Sequence, residues 1–227
     1  YAKQKEAVTF IKKAAEAGNL IAIYLYGLLN EIGKGIQIDH AKSLKLIKIV
    51  ADSGNTNAMR YYGIKLFYGQ GIDADKEVAI KYIKEAADKD NVDAMYDYAA
   101  LVSEGNGIPT NRQEAIKYFK KAADKGEPKS MTRYAILIAN DDKIPNNKEE
   151  AFKYYKMAAY KGDLEAMTNY AFMLDKGDGV PINKEEAAIF YKKAADNGNS
   201  TSMYNYAIML YKGIPMNKAE SAKYFKM

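Results

Sequence analysis

Residues 91–126, NVDAMYDYAALVSEGNGIPTNRQEAIKYFKKAADKG, form a stretch that recurs along the chain at a step of 36 residues. Each step brings back a tyrosine, at Tyr26, Tyr62, Tyr98, Tyr134, Tyr170 and Tyr206. Met95 and the alanine pair that begins at Ala122 recur at the same step. Agreement of several columns at one period indicates that each stretch is a copy of one supersecondary unit.

The first half of the unit has the spacing of an amphipathic helix, here named helix A. Its apolar residues are three or four positions apart, as in a helix that buries one face, and they are Ala94, Met95, Tyr98, Ala99 and Val102. The pattern stops at the glycines before Pro109, where a helix does not easily continue. Helix A therefore ends in a turn.

The second half predicts helix B, with its apolar face at Ala115, Tyr118 or Phe119, Ala122 and Ala123. Thr110 or Asn111 is the expected N-cap, and Gly126 suits a left-handed C-cap. In the last unit, Ser200 or Thr201 is the N-cap expected for helix A. Two such helices cannot bury both faces alone, so neighbouring copies must stack.

The period places every helix. Helix A is expected to begin near residues 20, 56, 92, 128, 164 and 200, and helix B near 39, 75, 111, 147 and 183. A partial helix B is expected at each end, the last one shifted by a two-residue deletion in YKGIPMNK, residues 211–218. The predicted fold is all-α, a right-handed α-α superhelix (solenoid) of about six 36-residue repeats. Residues 1–227 are predicted to be one domain, truncated within a repeat at both ends.

The glycine pair Gly105 and Gly107 raises the question of a phosphate site. A dinucleotide fingerprint needs a third glycine after a strand, and a P-loop ends in Gly-Lys-Ser or Gly-Lys-Thr; neither pattern occurs. In DKGDGVPINKEE, a calcium loop centred on Gly179 would put Leu174 and Lys176 at ligand positions, where they cannot coordinate. The glycines are therefore expected only to turn the chain.

The units resemble Sel1-like repeats, relatives of the tetratricopeptide repeat with a longer turn between the helices. DAMYDYA, EGNGIPTN and EAIKYFKKAADKG carry the resemblance in one unit, and EAMTNYA, DKGDGVPIN and AAIFYKKAADNG carry it in another. Tyr replaces the usual Leu on helix A, and Tyr or Phe replaces the frequent Trp on helix B. The alternative is the tetratricopeptide repeat itself, which has a period of about 34 residues.

Composition offers little for catalysis. The chain has no Cys and one His, His40, so no thiolate nucleophile, imidazole triad or ordinary zinc site can be assembled. His40 is expected to be an exposed residue in the first turn of helix B. The acidic pairs that begin at Glu149 and Glu185 are expected to stabilise helix N-termini. No catalytic, cofactor-binding or metal-binding residue is predicted, no cofactor is expected, and the protein is expected not to be an enzyme.

Two columns of helix A vary among the repeats and are the candidate protein-binding positions. The first contains Tyr24, Arg60, Tyr96 and Tyr204, with Thr132 and Thr168 in the remaining repeats; the second contains Leu25, Tyr61, Asp97, Arg133, Asn169 and Asn205. Tyr and Arg are enriched at binding hot spots. The resemblance implies that helix A lines the concave side of the superhelix. A third column, Leu28, Ile64, Ala100, Ile136, Phe172 and Ile208, floors that groove or packs between repeats, and packing is favoured.

The resemblance implies a protein-protein interaction scaffold or adaptor that holds protein partners or extended peptide segments through its concave face. One alternative is a structural spacer of a filament or axoneme-like assembly that uses the convex face. Another is a hydrolase, since some Cys-rich relatives are described as β-lactam hydrolases, but their cysteines are absent here. The net charge is +5, with basic and acidic residues interspersed, so no nucleic acid is expected. No apolar run reaches the roughly 18 residues of a membrane helix, so no membrane insertion is expected. The compartment is open, with a soluble cytoplasmic protein favoured over one in the endoplasmic reticulum lumen or a secreted one.

Overall fold

A computed structural model describes residues 2–139, 141, 144 and 147–212, and these residues form twelve α-helices and no strand. The odd-numbered helices are B helices: α1 (Ala2–Glu16), α3 (His40–Asp52), α5 (Lys76–Asp88), α7 (Arg112–Asp124), α9 (Asn147–Tyr160) and α11 (Lys184–Asp196). The even-numbered helices are A helices: α2 (Leu20–Ile32), α4 (Thr56–Tyr68), α6 (Val92–Glu104), α8 (Pro128–Ala139), α10 (Leu164–Lys176) and α12 (Ser200–Tyr211). The all-α fold class is confirmed.

The predicted helix boundaries are confirmed. All six A helices begin at the expected residue, and the five complete B helices begin within one residue of it. Helix α1 is the expected partial helix B at the start of the chain. The partial helix B expected after residue 212 lies outside the described residues.

Asparagine or aspartate caps most of the helices. Asn111 is the N-cap of α7, since its Oδ1 accepts the backbone N–H of Glu114 at 3.0 Å. The predicted cap of α12 is wrong: Asn199, not Ser200 or Thr201, accepts the backbone N–H of Ser202 at 2.8 Å. Asn199 has the extended backbone of an N-cap, whereas Ser200 is already the first helical residue. Each such cap is worth about 1 kcal/mol.

The glycine pair turns the chain and brings it against the preceding helix B. Gly177 has a φ of 69° and donates its N–H to the carbonyl of Met173 at 2.9 Å, which ends α10. Gly179 has a φ of 74°, and a Cβ there would collide with the side chain of Lys148 at the start of α9. Glycine is therefore needed at position 179 for two reasons: its backbone has a positive φ, and a side chain would not fit against the neighbouring helix.

By its contacts, the chain divides into two compact units, residues 1–118 and residues 119–227. The prediction of one domain over residues 1–227 stays a prediction. From α1 to α6, and again from α8 to α12, each helix packs on the next one along the chain. The cores are built on edge-to-face pairs of aromatic rings from helices A and B, which contribute beyond their buried area. The pairs are Tyr62–Tyr82 and Tyr98–Tyr118 in the first unit, and Tyr134–Tyr154 and Tyr170–Phe190 in the second.

Successive B helices are also joined by a repeated polar contact, here named a rung. A rung consists of a Lys and an Asp near the end of one B helix and a Tyr on the next. The first rung is Lys48, Asp52 and Tyr82, with the Tyr82 hydroxyl 2.5 Å from Asp52 Oδ1 and Lys48 Nζ 2.7 Å from Asp52 Oδ2.

The contact repeats at the 36-residue step. The second rung is Lys84, Asp88 and Tyr118. In the third, Asp124 accepts the Tyr154 hydroxyl, but the lysine of that rung, Lys120, donates to Glu150 and Tyr134 instead of to Asp124. The aspartate column at positions 52, 88 and 124 also keeps the period, but it was not among the predicted contacts.

Candidate functional site

The ten candidate binding residues all lie on A helices. They are Tyr24 and Leu25 on α2, Arg60 and Tyr61 on α4, Tyr96 and Asp97 on α6, Arg133 on α8, Asn169 on α10, and Tyr204 and Asn205 on α12. Leu25, Arg133 and Tyr204 are exposed, and the other seven are partly exposed. Each unit therefore carries its own set on its A helices.

In the first unit, Arg60 joins two A helices. Its Nε donates to Asp97 Oδ2 at 2.5 Å, and one terminal nitrogen lies 3.6 Å from Asp93 Oδ2. Burial raises the pKa of Asp97, and Arg60 opposes that rise. Burial also raises the pKa of Tyr24, again against the field of Arg60. Arg60 and Asp97 thus pair chiefly with each other, and the pair joins two neighbouring repeats.

A second ion pair in this unit joins α2 to α4. Lys65 Nζ lies 2.7 Å from Glu31 Oε1, and His40 Nδ1 lies 3.0 Å from Glu31 Oε2. Burial alone would raise the pKa of Glu31, but the hydrogen bonds from Lys65 and His40 lower it below its ordinary value. Lys65 Nζ also lies 5.5 Å from the ring centre of Tyr61, within cation–π range.

Glu31 and Lys65 were not among the residues predicted to form the site. The available signal was a lysine in a column that is otherwise apolar, since the residues 36 positions to either side of Lys65 are Leu29 and Leu101. A charge at such a position needs a partner, because a partly buried ammonium is costly without one.

In the second unit, two residues of the first column, Thr132 and Thr168, are buried. Thr132 is buried and donates its hydroxyl to Asp163 Oδ1 at 3.0 Å, and Thr168 is buried with its Oγ1 2.7 Å from Ser202 Oγ. These threonines join α8 to α10 and α10 to α12, so they cannot meet a partner. Of the candidates in this unit, Arg133 has a weak exposed ion pair, with 3.9 Å between its NH1 and Glu165 Oε1.

The third column is only partly buried. Leu28, Ile64 and Ala100 in the first unit are partly exposed, as are Ile136 and Ile208 in the second, and Phe172 is 44% exposed. Helical spacing puts Leu28 one turn after Tyr24 and Ala100 one turn after Tyr96. In the first unit, six partly exposed apolar and tyrosine side chains therefore lie on three successive A helices. They are here together named the A strip: Tyr24, Leu28, Tyr61, Ile64, Tyr96 and Ala100.

His40 is exposed, as predicted, in the first turn of α3. The described residues contain no group of three or more His, Asp and Glu side chains placed to hold a metal ion. Within the same part of the chain, no helix has the length and apolar character that crossing a bilayer requires. The A strip offers contact area and hydrogen-bonding tyrosines.

One family model matches the chain repeat by repeat. The family model described as Sel1 repeat matches residues 3–19, 20–55, 56–91, 92–127, 128–163, 164–199 and 200–227. Five of these matches span 36 residues each, which supports the Sel1-like period over the tetratricopeptide alternative. Among curated proteins, none shows significant sequence similarity to the chain.

Solved structures match along nearly the whole chain. A Sel1 repeat protein from Oxalobacter formigenes has 27% identity and a TM-score of 0.82, over 99% of this chain and 93% of that one. The c5321 protective antigen of uropathogenic Escherichia coli, which displays an SLR fold, has 23% identity and a TM-score of 0.87. That match covers 98% of this chain and 48% of the antigen, so the chain spans about half of its length. The all-α solenoid class is thereby confirmed.

Proposed function

Because the chain belongs to the Sel1 repeat family, whose members are generally protein-protein interaction scaffolds, we propose that it is an adaptor that binds an extended segment of a protein partner along its A helices. The observation that carries the proposal is the A strip of the first unit. Its tyrosines and aliphatic side chains are partly exposed on three successive A helices. The proposed binding surface is the concave face of the solenoid.

The chemistry of the A strip suits an extended peptide. Tyr24, Tyr61 and Tyr96 offer large rings with a hydroxyl at the edge, the combination that is enriched at binding hot spots. Leu28 and Ile64 add apolar area between them. A peptide laid across successive A helices would bury apolar side chains on this strip and hydrogen-bond its backbone to the tyrosine hydroxyls.

The surroundings of the strip hold it in place. The Arg60–Asp97 and Lys65–Glu31 pairs connect neighbouring A helices beside it. A surface fixed in the free protein loses less conformational entropy on binding than a flexible one. These ion pairs therefore support binding by fixing the strip, whereas Arg60 and Asp97 were first predicted to contact the partner themselves.

The test is selection of random peptides on the immobilised chain, followed by affinity measurement of the enriched peptides. We expect Tyr61→Ala/Tyr96→Ala to weaken binding by about tenfold or more, as for loss of hot-spot side chains. The matched control is Tyr68→Ala, since Tyr68 is an exposed tyrosine at the end of α4 and lies outside the strip.

The control should change affinity less than twofold. Circular dichroism must show both variants to be folded. The proposal is wrong if the double variant and the control bind alike, or if no peptide is enriched on the wild-type chain.

A further inference from the structure

The fourth rung of the B helices lacks the groups that close the other three. At the position of Asp52, Asp88 and Asp124 it has Tyr160, and at the position of the rung tyrosine it has Phe190. Lys156 is the rung lysine, and it has no carboxylate or hydroxyl partner among the described residues. The tyrosine and phenylalanine rings instead meet edge to face, with 5.2 Å between their centres.

A third change occurs at the same place. The B helices carry an exposed lysine at positions 45, 81, 117 and 153, and the next member of that column is Ile189. Tyr160 is 65% exposed and Ile189 is 53% exposed. Two exposed positions that are charged in α3, α5 and α7 are therefore uncharged at this site. An exposed apolar site with such a boundary indicates a contact surface.

These residues line a groove between α9 and α11 with a volume of about 380 Å³. Tyr160, Ile189 and Phe190 form its apolar wall. Lys193 also lines the groove, and its Nζ lies over the Phe190 ring, 5.1 Å from the ring centre. At the first rung, the corresponding groove has a volume of about 290 Å³ and is lined by Asp52, Val78, Lys81, Tyr82 and Glu85. The fourth groove is thus larger and has lost the internal carboxylate.

Both acidic and basic side chains border the groove. Glu186 accepts the Tyr170 hydroxyl at 2.6 Å, and Glu185 lies exposed in the first turn of α11. Lys156, on α9, stands one helical turn before Tyr160, so both side chains lie on the same face of the helix. In the first two rungs, an aspartate one turn after the lysine pairs with that lysine.

We propose that this groove docks an acidic, apolar segment of a protein partner. An aromatic or aliphatic side chain of the segment lies between Tyr160 and Ile189. A neighbouring carboxylate pairs with Lys156, in the place that an internal aspartate fills in the first two rungs. The site lies on B helices, so it is separate from the A strip and extends the adaptor proposal by a second surface.

The experiment uses a peptide library that fixes one Asp or Glu and one Phe, Tyr or Leu at varied spacing. The library is selected on the wild-type chain and counter-selected on Tyr160→Asp. This substitution restores the internal partner of Lys156 and removes the exposed ring. Enriched peptides are expected to bind Tyr160→Asp at least about tenfold more weakly than wild type.

Two matched comparisons sharpen the result. Replacing the peptide carboxylate by its amide should weaken binding by about tenfold on the wild-type chain and should have little effect on Lys156→Ala. Tyr61→Ala/Tyr96→Ala, which alters the A strip, should bind the same peptides as wild type does. Failure of one proposal is therefore distinguishable from failure of the other.

Three results would overturn the proposal: no peptide survives counter-selection, the amide peptide binds as tightly as the acid, or Lys156→Ala keeps the preference for the acid. Tyr160 and Lys156 are both exposed, so these variants are expected to fold. Ile189→Lys, which restores the charge of its column, provides a second folded variant and should also weaken binding.

Discussion

Tyr154 on α9 donates its hydroxyl to Asp124 Oδ1 at the end of α7, 2.5 Å away, although the two residues are 30 positions apart in the chain. The ring of Tyr154 is buried against Tyr134, whereas Asp124 is exposed. One side chain therefore anchors the core of its own repeat and reaches the preceding helix B. The same contact joins Asp52 to Tyr82 and Asp88 to Tyr118 in the first unit.

Removing the Tyr154 hydroxyl tests what a rung contributes. Tyr154→Phe keeps the buried ring and is expected to lower the free energy of unfolding by about 1 kcal/mol, the usual net value of a hydrogen bond. Urea unfolding measures the change. A double-mutant cycle with Asp124→Ala should show the two effects to be coupled, and Tyr204→Phe at an exposed site should change stability by less than about 0.5 kcal/mol. Additive effects of the two substitutions would contradict the rung.

Alkaline pH should destabilise the protein through its buried tyrosines. Burial, with the hydrogen bond to Asp124, raises the pKa of Tyr154 to about 12. A group whose pKa is higher in the folded state stabilises the fold fully below its unfolded pKa, about 10 for Tyr. That contribution is lost as the pH rises from about 10 through 12.

Circular dichroism and tyrosinate absorbance should therefore change together over this range. Burial also raises the pKa of Tyr155, Tyr170 and Tyr191, so the loss should be cooperative. The decline should be less steep in Tyr154→Phe. Unchanged stability between pH 9 and pH 12 would show that the tyrosines ionise without cost to the fold.

Substitution of two different glycines distinguishes the cost of backbone strain from the cost of a steric clash. Gly162 has a φ of 96° and no atom within 4 Å of an added Cβ, whereas Gly179 has a φ of 74° and meets the Lys148 side chain. Gly162→Ala is expected to cost about 1 kcal/mol, from the left-handed conformation alone. Gly179→Ala adds overpacking and should cost about 2 to 4 kcal/mol. Thermal unfolding of the two variants gives the comparison, and equal costs would mean that Lys148 moves aside freely.

Acid should weaken the contact between α2 and α4. Hydrogen bonds from Lys65 and His40 overcome the effect of burial and hold the pKa of Glu31 below its ordinary value of 4.5. A carboxylate with a lowered folded-state pKa stabilises the fold above its unfolded pKa, and the contribution is lost as the pH falls through the folded value. Glu31→Gln should therefore cost about 1 to 2 kcal/mol at pH 7 and much less at pH 3.

The matched control for Glu31 is Glu85→Gln. Glu85 forms an exposed pair with Lys89 at 2.8 Å, one helical turn away, and such pairs contribute little. Chemical unfolding at several pH values gives both differences, and a side-chain carboxyl NMR titration gives the Glu31 midpoint directly. A midpoint at or above 4.5 would refute the assignment.

The helices were predictable because their signals are local. A 36-residue period, the Asn before α4 and α6 and the glycine after each of them place these two helices without any knowledge of tertiary contacts. The cap of α12 was misplaced by one or two residues, because Ser and Thr are good capping residues and only the backbone angles decide among three adjacent candidates.

The candidate site was predictable only in part. Tyr61 and Tyr96 are partly exposed, whereas Thr168 is buried against Ser202 in the same column as Tyr96. Variation in a column does not distinguish a residue that meets a partner from one that adapts the contact between two repeats. Both kinds of position change from copy to copy.

By itself, the sequence determined the repeat, its two helices, their ends and the apolar faces that they bury, because all of these depend on spacings within about 36 residues. Only the tertiary structure decided which polar side chains join neighbouring repeats and which remain open. Arg60 and Asp97 are 37 positions apart, yet their charged atoms lie 2.5 Å from each other. Such a pairing depends on the register of stacked helices to within an ångström or so, and a period along the chain does not specify that register.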